Sequence, residues 1–143
     1  MQRSKLTKKM AMVAMFAAMS YVITVIAHYL HLTIVPSVPF LTYDPKDIII
    51  CIAGFILGPI PVIGVSVAVS FLEMITISQT GFYGFIMNII STCAFVLPAA
   101  LIYRSKKSFK GALLSLLTGF ISVIIVMTLW NIIITPLYMG IER

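Results

Sequence analysis

One stretch decides how this chain folds, Phe40-Leu41-Thr42-Tyr43-Asp44-Pro45-Lys46-Asp47, because it is the long polar segment between apolar runs. It closes a connection of roughly 15 residues between positions 31 and 45, and connections of that length are commonly functional. Prolines at positions 36, 39 and 45 restrict the backbone there. We therefore expect a stiff loop over residues 31–47.

The side chains of this stretch support two interpretations. Phe40 and Tyr43 offer ring faces, while Thr42 and Asp44 offer oxygens, and this combination suits a wall for a small flat ligand with polar edges. The alternative is a connector at the membrane interface, with Tyr43 in an aromatic belt and Asp44 capping the next helix. The residues alone leave both interpretations open.

The composition indicates a membrane protein. Of the 143 residues, 61% are hydrophobic and 10% are charged, and the mean hydropathy is +1.12. A soluble domain carries about 25% charged residues. The net charge of +6 comes from basic residues beside apolar runs, which indicates contact with the lipid bilayer and its anionic headgroups rather than with nucleic acid.

The apolar runs predict an all-α, multi-pass bundle with transmembrane helices over residues 10–30, 48–57, 62–77, 82–103 and 111–135. The second helix is short, since about ten residues at 1.5 Å each reach only about 15 Å. The segment Gly58-Pro59-Ile60-Pro61 predicts a break after it. Pro98 predicts a tolerated kink in the fourth helix, and Pro136 predicts the end of the fifth.

The distribution of charge predicts the orientation of a single transmembrane domain, residues 1–143. Four of the ten Lys and Arg residues lie within residues 1–9, and four more lie within residues 104–110. The positive-inside rule makes both segments cytoplasmic, so loop 31–47, turn 78–81 and the carboxyl terminus are predicted to be external. The basic amino terminus resembles that of a signal peptide, but the apolar run after it is long enough to span a membrane.

Polar side chains gather in the external half of the predicted bundle. Glu73 is a carboxylate inside a helix, which is costly unless a cavity, a partner or water relieves it. Asn131 lies at a similar depth in the fifth helix and Asn88 lies along the fourth, whereas the cytoplasmic half is nearly all aliphatic. The pattern predicts a pocket that opens to the outside. Hydrogen bonding between helices is the alternative role for both asparagines.

Small residues and cysteines in the helices have plainer interpretations. Ala14 and Ala18 form a small-xxx-small pair, which allows close approach of a partner's helix or of a helix in the same bundle. Cys51 and Cys93 lack metal or redox spacing, so we interpret them as small buried hydrophobes. The sequence contains no phosphate-binding loop and no paired carboxylates. We expect neither an enzyme nor a metal or cofactor site.

Four motifs occur in order along the chain, Phe40–Asp47 after a first helix, Gly58-Pro59, Gly81-Phe82-Tyr83-Gly84-Phe85 and then Asn88. In this order and spacing they resemble the riboflavin-specific substrate-binding subunit, or S-component, of bacterial energy-coupling factor (ECF) transporters. The pair Ala14-x-x-x-Ala18 is similar to the alanine motif by which that family docks on its coupling subunit.

The resemblance implies a subunit of the bacterial cell membrane that captures riboflavin from outside as a transported ligand, with a cytoplasmic amino terminus. A transmembrane coupling subunit and two ATPase subunits would drive release. The implied riboflavin contacts are Phe40, Leu41, Thr42, Tyr43, Glu73, Asn88 and Asn131, with Ala14 and Ala18 docking the partner.

The family has six helices, of which the sequence predicts five, and the external carboxyl terminus agrees with a missing sixth helix. Two alternatives remain from the sequence. One is an S-component for another vitamin, and the other is a structural or assembly membrane subunit without a small ligand.

Overall fold

A computed structural model describes residues 2–30, 45–78 and 81–139, and within them the chain forms five α-helices. They are α1 (Gln2–Tyr29), α2 (Lys46–Leu57), α3 (Pro59–Thr76), α4 (Gly81–Ser105) and α5 (Phe109–Met139). All but α2 are long and apolar enough to cross a membrane. With 12 residues, α2 reaches about 18 Å, and its shortness agrees with the prediction. The all-α, multi-pass fold class is confirmed.

Every helix begins earlier than predicted, and the starts of the first two helices reassign whole segments. The first starts at Gln2 rather than at position 10, because the basic amino terminus is rich in residues that favour helix. The second starts at Lys46, so Lys46 and Asp47, which were predicted to end the external loop, form the first turn of α2. Asp47 suits that position because a carboxylate near a helix amino terminus complements the helix dipole.

The corner between α2 and α3 is tighter than the predicted four-residue break. Gly58 alone separates the two helices, with a φ of 90°, a conformation that glycine adopts without steric penalty. Pro59 and Pro61 then stand in the first turn of α3, where a missing backbone N–H leaves no hydrogen bond unmade. The antiparallel pair α2–α3 is therefore joined by a single residue.

Prolines inside the later helices do not end them. Pro98 lies within α4, as predicted. The prediction that Pro136 ends the fifth helix is wrong, because α5 continues through it to Met139. Membrane helices tolerate proline when nearby groups satisfy the freed backbone carbonyl.

The apolar core lies among α1, α2, α3 and α4. Its fully buried members are Ile50, Ala53, Val62, Val65, Val69, Val96 and Ala99. In the described part of the chain α5 packs on α4 alone. Gly119 makes that contact close, since a Cβ atom there would lie 2.5 Å from the carbonyl oxygen of Phe95.

The two halves of the bundle differ in charge. One half, which we call the ion-pair half, contains the last turns of α1 and α3 and the first turns of α2 and α4, and it holds the described carboxylates Asp47 and Glu73. The opposite end, which we call the basic end, holds Lys5, Lys8, Lys9, Arg104, Lys106, Lys107 and Lys110.

Candidate functional site

A buried ion pair joins α2 to α3 in the ion-pair half. The ammonium Nζ of Lys46 lies 2.7 Å from Oε2 of Glu73, and the two side chains are 3% and 4% exposed. Each charge would be strongly unfavourable alone in this apolar surrounding, so each one stabilises the other. The burial of Glu73 inside the bundle is thus explained first by Lys46.

A third helix joins the same carboxylate oxygen. Asn88, in the second turn of α4, donates a hydrogen bond from Nδ2 to Oε2 of Glu73 over 2.9 Å. Hydrogen bonds to charged groups are stronger than those between neutral groups. Glu73 therefore fastens α2, α3 and α4 at one point.

The next residue of α2 makes a parallel connection. Asp47 accepts a hydrogen bond from the hydroxyl of Thr92 over 2.7 Å. Successive helical residues point in directions about 100° apart, so Lys46 reaches α3 while Asp47 reaches α4. We call the five residues Lys46, Asp47, Glu73, Asn88 and Thr92 the polar floor.

The polar floor lies inside the bundle rather than at its end. Thr92 is about 16 Å along α4 from Gly81, at 1.5 Å per residue. In α1, the phenol of Tyr21 donates a hydrogen bond over 3.0 Å to Thr76, which lies beyond Glu73 in the last turn of α3. Lys46, Glu73 and Thr92 are buried, and α1, α3 and α4 all extend past the polar floor.

The structure brings two of the predicted site residues together, since Glu73 and Asn88 share a hydrogen bond. Asn131 occupies an exposed position on α5. Its neighbour Trp130 lines an apolar cleft of about 350 Å³ between α4 and α5. The other predicted contacts, Phe40, Leu41, Thr42 and Tyr43, lie outside the described residues.

Sequence reasoning missed Lys46 as a member of the site. The sequence held a signal for it, because Lys46 is an isolated basic residue, far from both basic clusters and just before an apolar run. An isolated cation beside a membrane helix and an isolated carboxylate within another are natural partners. Pairing Lys46 with Glu73 would have predicted the contact of α2 with α3.

The predicted docking pair lies on the surface of α1. Ala14 and Ala18 are both exposed, whereas Phe16 and Ala17 between them are buried in the core. The contacts that pack α1 into this bundle therefore use another face of the helix. Both interpretations of the small-xxx-small pair stay predictions.

The described residues offer hydrogen bonds and charge rather than a metal centre. Within residues 2–30, 45–78 and 81–139, no three His, Cys, Asp or Glu side chains are grouped so that they could hold a metal ion. Cys51 is buried and Cys93 half-buried, and both are free thiols.

Fold and site together define a multi-pass membrane protein with a buried ion pair and a polar floor in one half of the bundle. Residues 8–142 match the family model described as "ECF transporter, substrate-specific component". The chain is 30% identical over 135 residues to the riboflavin transporter FmnP of Bacillus subtilis, covering 92% of this chain and 68% of that protein. The chain belongs to the family of substrate-specific components of ECF transporters, which is a transporter family and not an enzyme family.

A solved structure supports the same assignment. The S component of a bacterial ECF transporter superposes with a TM-score of 0.77 at 27% sequence identity, covering 93% of this chain and 77% of that chain. The helical order described above is therefore the arrangement of an S-component.

Proposed function

We propose that this chain captures riboflavin for uptake by an ATP-driven ECF transporter. Three things support the proposal: membership of the family, the relative named as a riboflavin transporter, and the polar floor inside the bundle. The polar floor carries the argument, because an apolar membrane bundle retains buried charges and amides chiefly where they serve a function.

The proposed binding mode pairs the flat ring of the vitamin with aromatic and apolar walls, and its polar edges with side chains of the bundle. Candidate contacts are Phe40, Leu41, Thr42, Tyr43, Glu73, Asn88 and Asn131. Tyr43 would offer a ring face for stacking. Asn88 has two amide donors and one acceptor, of which one donor is held by Glu73, so it can still bond to a ligand.

The salt bridge changes the role that we assign to Glu73. Its Oε2 already receives Lys46 and Asn88, so the carboxylate orients those two groups as well as offering itself to the ligand. Preorganised polar groups bind more tightly because little ordering remains to be done on binding.

Energy for transport would come from partner subunits. The sequence carries no phosphate-binding loop, so we propose a transmembrane coupling subunit and two ATPase subunits as partners. Ala14 and Ala18 are the proposed docking pair, since they are small and exposed on α1 and would let a partner helix approach closely.

We place the basic end in the cytoplasm, with the amino terminus, because basic residues concentrate on that side of membrane proteins. In intact cells, an impermeant thiol reagent should then label Ser78→Cys, between α3 and α4, and should miss Ser105→Cys at the end of α4. Both variants would be made in a background without Cys51 and Cys93. Labelling of Ser105→Cys alone would show that the protein has the opposite orientation.

Uptake tests the function itself. Cells that express the chain together with the coupling and ATPase subunits should accumulate radiolabelled riboflavin above cells that express either part alone. Excess unlabelled riboflavin should abolish that gain, whereas excess thiamine or biotin should leave it. Competition by another vitamin with no effect of riboflavin would show a different specificity, and equal uptake in all cells would contradict the proposal.

A further inference from the structure

The basic end contains a groove that the proposed function does not use. Its volume is about 440 Å³, and the α2–α3 corner, residues 54–61, forms much of its lining. Three cations complete it: Lys9 from α1, Arg104 from the last turn of α4 and Lys107 from the turn between α4 and α5. Three separate segments of the chain thus bring basic side chains to one groove.

One side of this groove is formed by closely packed helix ends. The ring of Phe55 stacks on that of Tyr103 with centroids 4.2 Å apart and planes 28° apart, which fixes the end of α2 against the end of α4. Gly54 deepens the contact, since a Cβ atom there would lie 2.9 Å from Val96 Cγ1. Arg104 follows Tyr103 directly, so its backbone is held by the stacked ring.

The charge of the groove is not neutralised by the described part of the protein. The carboxylates in the described part of the protein are those of Asp47 and Glu73, and both lie in the ion-pair half. Asp47 is bonded to Thr92 and Glu73 to Lys46. Cations that converge without a carboxylate repel one another unless an anion lies between them. The groove therefore has the charge of an anion site.

We propose that this groove binds the phosphate headgroup of an anionic phospholipid. Arg104 can hold phosphate oxygens in a bidentate manner, and Lys9 and Lys107 add point charges. Basic pockets between membrane helices are suited to anionic headgroups. The groove would thus anchor one lipid where α1 meets the α2–α3 corner.

The surroundings of the groove favour a lipid over a protein segment. Two of its lining residues, Ile56 and Ile60, are 62% and 80% exposed, and they offer apolar surface directly beside the cations. An anionic phospholipid has groups that match both surfaces, because its phosphate can meet the cations and its acyl chains can meet the aliphatic side chains. An acidic protein segment would match the cations and leave these aliphatic side chains uncovered.

Lipid binding to the purified full chain tests the proposal. Native mass spectrometry in detergent would follow titration with phosphatidylglycerol, and with phosphatidylcholine of the same acyl chains. The parent protein should bind one phosphatidylglycerol at least about tenfold more tightly than phosphatidylcholine, as expected for charge-assisted hydrogen bonds. Glycerol phosphate without acyl chains should not displace it. If glycerol phosphate displaces the lipid at a concentration similar to that of phosphatidylglycerol, the groove binds free phosphate and the lipid proposal is wrong.

A matched pair of variants separates this site from general attraction to basic residues. The groove variant Lys9→Gln/Arg104→Gln/Lys107→Gln should lose the preference for phosphatidylglycerol. The control variant Lys5→Gln/Lys8→Gln/Lys110→Gln removes the same charge from the same end, at positions that do not line the groove. Its binding should change by less than about threefold, since exposed charges contribute little. Equal loss in both variants would overturn the proposal.

Two further measurements keep the result interpretable. The single variant Lys107→Gln changes a residue between helices and should weaken phosphatidylglycerol binding without altering the melting temperature, which guards against misfolding of the triple variant. Co-purification with the coupling and ATPase subunits would be measured in parallel. If the groove variant keeps phosphatidylglycerol and loses those subunits, the groove is a protein-docking surface and the lipid proposal is wrong.

Discussion

Lys46 Nζ lies 2.7 Å from Glu73 Oε2, in an ion pair that is buried almost completely. This contact fixes the first turn of α2 against the last turns of α3, and Asn88 extends it to α4. The ion pair and this hydrogen bond therefore join the start of the short second helix to both α3 and α4. The same pair forms the base of the proposed riboflavin site.

Breaking the ion pair from one side should destabilise the fold. Glu73→Gln leaves the Lys46 ammonium buried without a counter-charge, and removing one partner of a buried pair costs about 3–5 kcal/mol. For a chain of this size the melting temperature should fall by on the order of 10 °C. Thermal unfolding of the purified protein measures this.

The control for that experiment removes both charges. Lys46→Met/Glu73→Leu should recover most of the melting temperature, because apolar replacement of a buried pair is often neutral or stabilising. If the double variant is stable but binds riboflavin weakly, the pair serves the ligand. If Glu73→Gln melts with the parent, the ion pair does not stabilise the bundle.

The bond between Asp47 and Thr92 predicts a smaller effect. Thr92→Val removes a hydroxyl that donates to a carboxylate over 2.7 Å, and we expect a loss of about 1.5–3 kcal/mol in the free energy of unfolding. Thr118→Val is the control, since that hydroxyl is exposed and donates to the carbonyl of Leu114 in its own helix. Equal melting of the two variants would contradict the prediction.

The contact of α5 with α4 should depend on a glycine. Gly119→Ala places a Cβ atom 2.5 Å from the backbone oxygen of Phe95, so the helices must separate, at a cost of about 1–3 kcal/mol. Gly64→Ala meets only Val13 at 3.9 Å and should be neutral or stabilising, because alanine favours helix by about 1 kcal/mol. Unfolding of both variants decides the matter, and equal stability would show that α5 adapts freely.

If α1 docks through its exposed face, changes on that face should prevent assembly with the partner subunits without affecting riboflavin binding. Ala14→Leu/Ala18→Leu should prevent co-purification with the coupling and ATPase subunits and leave riboflavin binding unchanged, because the added bulk blocks close helix approach. Met15→Leu/Met19→Leu alters neighbouring exposed positions of the same helix and should preserve the complex. Survival of the complex in the alanine variant would remove this face from the interface.

The sequence predicted the bundle well because hydropathy alone determines which segments can span a membrane. It placed Glu73 and Asn88 in the same half of the bundle, and their hydrogen bond agrees with that placement. It could not predict which carboxylate Lys46 meets, since that depends on how α2 packs on α3. The exposure of Asn131 depends likewise on how α5 is rotated about its own axis. Because α5 is almost uniformly apolar, its sequence has no periodic pattern that shows which face packs on the bundle.

The central claim is that riboflavin binds in the ion-pair half of this bundle, and a fluorescence titration tests it most directly. Purified protein should quench riboflavin fluorescence saturably, with one site per chain. Tyr43→Ala should weaken binding about tenfold by removing a stacking face, Tyr43→Phe should change it much less, and Asn88→Ala should weaken it by roughly three- to tenfold through a lost hydrogen bond. Absence of saturable quenching by the parent protein, or parent-like binding in both alanine variants, would contradict the account.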